Sequence, residues 1–367
     1  MKKIFAFAIA AVALTVGCQK NDVIVDPTED GTPVQLVLGS SVATLQTKAA
    51  LDNFTGDEEL VIYGIDKSAT DLSLAASYLV DSVVINSVAS ATEDITIANT
   101  FYGTAGQKYD FYGFYTGGAE NGPVVKAADK ITVPVKITGQ EDLLIGKTTT
   151  PSDLEAKGLV AGDLYSAKSA RKGVKPHLKF DHQLVRFDFK LVNGSDIPDD
   201  SDKTISVDKI TVTSLAEGDL VIDPQAAANC KLVTSDTAAD AGLYIPSVGT
   251  EKLATFTKDN KDDVVTVGES LMVMPGKTEY PVSIVISQTG AGAPAGTAES
   301  NLKIGTTDAA FTGFEAGYKY IVTIKVYGQE AVIVNVELAQ WHDGGTFVLD
   351  PDGDNTYTPP TPVTPES

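Results

Sequence analysis

Cysteine, histidine, tryptophan and arginine are all scarce in this 367-residue chain. It holds two Cys, three His and one Trp, and its only Arg residues are Arg171 and Arg186. Two Cys cannot frame a disulfide scaffold or a Cys-rich zinc site. His177 and His182 fall on opposite faces of one predicted strand, which makes them poor joint metal ligands, and His342 stands alone. Positive charge is also in short supply: 28 Lys plus Arg against 49 Asp plus Glu give a net charge of −21. No basic stripe exists to neutralise phosphates, so nucleic acid is not an expected partner. No apolar run is long enough to span a bilayer as a helix. The chain has neither a G-x-S-x-G elbow nor a G-x-x-x-x-G-K-[ST] loop. Its acidic runs, such as Asp57-Glu58-Glu59 and Asp262-Asp263, fall in predicted turns, and nothing selects one acid–base pair. Asp350, Asp352 and Asp354 open like a calcium loop, but Asn355 and Thr361 stand where that loop needs Gly and Glu. The expectation is a protein that is not an enzyme and has no metal and no cofactor.

What is present begins with an address. Lys2 and Lys3 precede an apolar run from Ile4 to Val16, the pattern of a secretory signal. Leu14-Thr15-Val16-Gly17-Cys18 resembles a bacterial lipobox, in which Cys18 is lipidated and becomes the first residue. A multiply acylated Cys gives stable attachment where a single chain does not. Gln19 in place of Asp favours the outer membrane, by analogy with other diderm bacteria. Residues 1–17 are therefore read as a signal peptide and 18–32 as a polar tether.

Beyond the tether the chain reads as strands and turns almost throughout. Apolar alternation marks segments such as 34–46, 59–65, 108–115, 177–192, 318–327 and 331–341. The apolar phase changes near Gln183, which predicts a bulge or bend there. Helix signals are few: Asp71–Val80 predicts a short helix, and residues 151–156 one turn. About fifteen strands with frequent turns indicate an all-β chain of two tandem β-sandwiches. Its predicted parts are 33–193 and 194–349, with the polar run 193–204 as the seam. Residues 350–367 carry five Pro and predict a disordered tail.

Several motifs, taken in order, resemble the fimbrillin family, the type V pilins and related surface lipoproteins of Bacteroidetes. They are the lipobox at Cys18, a first strand from Val34 to Thr47, and the junction Lys48-Ala49-Ala50. Phe54-Thr55-Gly56-Asp57 follows, then the aromatic block from Tyr102 to Tyr115, and Asp142-Leu143-Leu144-Ile145. Leu178-Lys179-Phe180-Asp181-His182-Gln183-Leu184 and Ala316-Gly317-Tyr318-Lys319-Tyr320 complete the series. The resemblance implies sandwiches of the transthyretin-like kind and export to the outer surface. It also implies cleavage after a basic residue behind the first strand, here between Lys48 and Ala49. Loss of that strand would open a groove for strand addition by other pilin subunits. The usual Arg is Lys48 in this chain, and in the tail only Thr346–Leu349 reads as a strand. The partners so implied are other subunits, the outer membrane through lipid, and a surface receptor that the sequence does not identify.

A second reading is an outer-membrane glycan-binding lipoprotein of a polysaccharide-uptake system. It rests on the aromatic block: Tyr109 and Phe111 take one face of a strand, while Tyr112 and Phe114 share the other and would be the glycan contacts.

Overall fold

The computed structural model describes residues 33–42; residues 54–339 apart from 90–92, 104–105, 235–237, 246–251, 268–269, 291, 295, 306–310 and 329; and the stretches 346–348 and 356–358. Alternating β-branched and aromatic residues produce strands along nearly all of it. In chain order the first ten are β1 (Gln35–Val42), β2 (Glu59–Asp66), β3 (Tyr78–Asn86), β4 (Ile95–Phe101), β5 (Tyr109–Tyr115), β6 (Glu120–Asn121), β7 (Val125–Lys126), β8 (Ile131–Lys136), β9 (Leu144–Thr148) and β10 (His177–His182). The next seven are β11 (Val185–Asn193), β12 (Thr204–Leu215), β13 (Glu217–Ile222), β14 (Lys231–Thr234), β15 (Asp240–Tyr244), β16 (Ala254–Phe256) and β17 (Val264–Thr266). The last seven are β18 (Leu271–Val273), β19 (Glu279–Thr289), β20 (Thr297–Gly305), β21 (Lys319–Tyr327), β22 (Glu330–Ala339), β23 (Thr346–Val348) and β24 (Thr356–Thr358). Among the described residues the one α-helix, Ala167–Arg171, is held by reciprocal capping between Ser166 and Ser169.

The strands form four sheets. The first runs β3-β2-β5-β9-β10-β1-β4. The second runs β14-β13-β8-β6, with β7 also on β8. The third runs β17-β11-β21-β22-β23-β24, with β18 also on β11. The fourth runs β15-β12-β19-β20, with β16 also on β12. This is an all-β fold of stacked sheets, as the strand pattern predicts.

The central strands of the first sheet, β2 and β5, are buried on both faces. On one, Leu36, Leu38, Phe111 and Phe180 pack with Leu164 and Tyr165 from the loop before the helix. On the other, Tyr112 and Phe114 pack with Val133 and Leu220 of the second sheet. Two glycines make room for the Phe180 ring. Phe180 stands directly opposite Gly146, which stands opposite Gly113. A Cβ on Gly146 would lie 2.6 Å from the Phe180 ring, and one on Gly113 would lie 3.0 Å from it. Phe54 meets the same ring edge-on at 5.3 Å. A second aromatic knot sits farther along the chain, where Phe314 lies 4.7 Å from Tyr320 and 5.4 Å from Phe187.

Three expectations differ from the fold. Residues 177–192 are not one bent strand: the chain leaves the first sheet at β10 and enters the third at β11. There β11 pairs parallel with β21, and elsewhere β8 pairs antiparallel with β13, so strands on the early side of the 193–194 seam join partners from the late side. The phase change at Gln183 marks this change of layer. The Gln183 side chain fixes it, donating to the Asp181 carbonyl and accepting from the Leu232 amide at 3.0 Å. Asp71–Val80 forms one 3-10 turn, Ala75–Ser77, and no α-helix. Asp71 accepts from the amide and hydroxyl of Ser73 in a tight turn, and the stretch from Tyr78, which carries Val80, Val83, Val84 and Ile85, forms β3. Residues 350–367 are not disordered throughout, since Thr356–Thr358 pairs with β23.

The two edge strands of the first sheet share an irregularity. Among the described residues, the non-glycine residues with positive φ are Ser82 at 51° and Asn99 at 55°. Ser82 lies on β3 and Asn99 on β4. Each sits where the register against the neighbouring strand slips, opposite Ile62–Gly64 of β2 and opposite Gln35–Val37 of β1.

Candidate assembly site

β1 is not an edge. It lies between β10, to which it runs parallel, and β4, to which it runs antiparallel. Its alternation is the reason it fits: Leu36 and Leu38 point into the core and are fully buried. Ser40 continues that inward face at 1% exposure, and its hydroxyl has no hydrogen-bond partner among the described residues. On the opposite face Gly39 is in register with His177. The imidazole lies across Gly39, where a Cβ would stand 2.8 Å from Nδ1, and its Nε2 meets the Ser41 hydroxyl at 2.8 Å. Burial lowers the His177 pKa below its ordinary 6.5, so the ring is neutral at pH 7. The Gly39 amide donates to the Pro176 carbonyl, and the Tyr102 amide donates to the Val34 carbonyl, both at 2.9 Å. These bonds tie β1 to each neighbour.

The chain resumes at Phe54 with a turn that sequence reading did not single out. The Glu58 carboxylate folds back to accept from the amide and hydroxyl of Thr55, the amide of Gly56 and the hydroxyl of Ser87. Thr138-Gly139-Gln140-Glu141 repeats the arrangement, with Glu141 accepting from Thr138, Gly139 and Gln140. Gly56 and Gly139 both take positive φ, 101° and 107°, which the tight return requires. Burial alone would raise both carboxyls, but the hydrogen bonds outweigh it and hold them below the ordinary 4.5. Each turn launches a strand, β2 and β9, on either side of β5. The visible signal was the shared spelling T-G-x-E-[DE]-L at residues 55–60 and 138–143.

The remaining predicted site residues fall as follows. Cys18, Lys48 and Ala49 lie outside the described residues, as do His342 and Trp341. Tyr112 and Phe114 are 5% and 4% exposed, so neither presents a ring face to solvent. The cleft beside Phe114, about 660 Å³, is bordered by Asp57, Glu59, Tyr115, Thr116 and Asn121. His182 is buried against Asp142, with Nδ1 2.9 Å from the carboxylate, far along β10 from His177. Arg186, 1% exposed, donates to Asp188 and to Ser270, and Ser270 donates to the same carboxylate at 2.6 Å. Among the described residues no three His, Cys, Asp or Glu side chains gather as a metal site would need.

The described residues form stacked β-sheets with β1 held in the interior of the first. The fimbrillin-like family model matches residues 47–341, and the chain belongs to that family. The family is one of fimbrial and adhesion proteins of the cell surface. No curated protein matches the chain in sequence. Among solved structures the chain is similar to a fimbrial protein from Bacteroides vulgatus, at 12% identity over 83% of this chain and 99% of that one, TM-score 0.44. It is similar to the fimbrial anchor protein Mfa2 from Porphyromonas gingivalis, at 11% identity over 84% and 98%, TM-score 0.38. It is also similar to a protein proposed to bind polysaccharide from Bacteroides thetaiotaomicron, at 9% identity over 88% and 100%, TM-score 0.42.

Proposed function

We propose that the chain is a fimbrial subunit or fimbrillin-like adhesion lipoprotein, held to the outer membrane through Cys18 and assembled by strand exchange. Cleavage between Lys48 and Ala49 frees residues 18–48, which include β1. The slot left between β10 and β4 then receives a strand from another subunit. The observation that carries this reading is the interior position of β1. Its departure strips hydrogen-bond partners from two strands and uncovers the pockets of Leu36 and Leu38. An open slot of that kind is strongly driven to refill, because unpaired strand edges and bare apolar surface are both costly in water. Lys48 calls for a protease that accepts lysine. The glycan-binding alternative is weakened by the burial of Tyr112 and Phe114.

The test is intact mass and N-terminal sequencing of the protein from washed cells. A chain starting at Ala49 within heat-labile high-mass ladders is expected. A chain that still starts at lipidated Cys18 and runs as a monomer overturns polymerisation and leaves an anchored adhesin.

A further inference from the structure

The seat of β1 reads more than hydrophobicity. We infer that the strand which replaces β1 carries glycine at the position of Gly39 and a small apolar residue at that of Ser40, and so is not the C-terminal segment of a second copy of this chain. The inference rests on the strand-exchange reading and specifies its partner.

The glycine requirement follows from His177. Its ring is pinned across β1 by the 2.8 Å contact with Ser41 and covers Gly39 so closely that a Cβ would stand 2.8 Å from Nδ1. Because Ser41 leaves with β1, an incoming strand remakes this bond with its own hydroxyl at that position, and any side chain at the position of Gly39 then clashes with the imidazole so held. The ring therefore reads register as well as identity. A slip of one residue places a leucine under His177 and turns the apolar face of the strand away from the core.

The preference at position 40 follows from the orphan hydroxyl. Ser40 is 1% exposed with no partner for its Oγ. A buried unsatisfied hydroxyl destabilises the strand that carries it. The resident strand is thus a weakened occupant, and one with Ala at this position binds the same slot more tightly.

The C-terminal segment of this chain does not meet the requirement. The slot needs two apolar residues spaced as Leu36 and Leu38 are, with glycine immediately after. In no register of residues 341–367 does that order occur. With Phe347 and Leu349 in the leucine pockets, Asp350 falls under His177, and Pro351 at the next position lacks an amide for the ladder.

The experiment uses the complete chain with a site-specific protease sequence placed across residues 45–50, cut after folding so that β1 stays bound. Labelled peptides copying residues 33–42 then compete for the slot. The wild-type peptide is expected to displace β1. The Gly39→Ala peptide should bind about tenfold more weakly, the lower range for overpacking a filled site. The Ser40→Ala peptide should bind about fivefold more tightly. Protein carrying His177→Ala should take the Gly39→Ala and wild-type peptides equally, and a peptide of residues 341–355 should fail to compete. The peptide variants need no folding of their own, so the comparison stands even if His177→Ala impairs the protein. Equal binding of the wild-type and Gly39→Ala peptides overturns the glycine requirement alone. Measurable competition by the 341–355 peptide overturns the exclusion of the C-terminal segment alone. Failure of every peptide, wild type included, overturns strand exchange and this inference with it.

Discussion

Replacing Gly146 by alanine tests whether the glycine row beneath Phe180 is a structural necessity. Three ring carbons of Phe180 would lie 2.6, 2.7 and 2.8 Å from the new Cβ, far inside ordinary contact. The ring has little room to retreat: Gly113 lies under its Cζ, and Phe54 abuts its edge. Forcing a methyl into such a site costs about 3 kcal/mol, the upper range for overpacking. Gly162 is the matched control, because a Cβ there meets nothing within 4 Å. Alanine at 162 should be neutral or stabilising by about 0.5 kcal/mol, through the unfolded chain alone. Phe180→Leu removes the clash but loses ring packing, so the double variant Gly146→Ala/Phe180→Leu should be less destabilised than the two single changes added together, by about 1 kcal/mol. Urea denaturation of the wild type and the four variants followed by circular dichroism supplies the numbers. A Gly146→Ala protein within about 0.5 kcal/mol of wild type, or strict additivity in the double variant, refutes the packing argument.

Other expectations concern charge. Glu58→Gln and Glu141→Gln should each destabilise the protein by about 2 kcal/mol at pH 7, because each turn loses a charge-assisted acceptor. Both carboxyls are held below 4.5 when folded, so the stability they give is complete above 4.5 and lost as pH falls through their folded values. Acid titration of the Gln variants should therefore slope less steeply than wild type, and parallel curves would contradict this. His177 is also lowered on folding, so its contribution is present above pH 6.5 and is lost as pH falls through its folded value. A melting temperature that falls below pH 6.5 in wild type but less in His177→Asn is the expected mark, and identical profiles would argue against it. Asp188→Asn should cost about 3 kcal/mol, because it weakens the carboxylate that Arg186 and Ser270 share inside the fold. A midpoint unchanged in urea would show that the charge is not needed there.

Much of the architecture is legible in the residues, and the misses have physical causes. Strict alternation revealed β5, β11 and β21, because each strand carries its period on its own. It did not reveal that both faces of β5 are covered, since alternation looks the same whether the second face meets water or another sheet. Gln183 announced a discontinuity, but a change of phase cannot say whether a strand bends within its sheet or passes to the next one. The seam at 193–194 was placed on polarity, whereas β8 and β11 follow hydrogen-bond partners far along the chain. Asp71 spelled a helix cap equally well as a turn, and the β-branched run behind it decided the outcome. The first strand was visible as a strand, but its place between β10 and β4 was not, because the parallel partner lies some 140 residues away. The Thr-Gly-x-Glu turns were readable as a repeated spelling, though only geometry shows the carboxylate closing on its own amides.

The kinks at Ser82 and Asn99 bear on the kind of material such a protein can make. A straight, exposed strand margin is a template on which any extended chain can accrete. Both margins of the first sheet are instead broken by a left-handed residue, so sideways stacking meets a mismatch at each flank. Deleting Ser82 is expected to raise light scattering at fixed concentration, and an unchanged signal would argue against this role. With both flanks blunted, the assembly proposed above would be confined to the one interior slot, and growth through a single slot yields a thread one molecule wide rather than a clump.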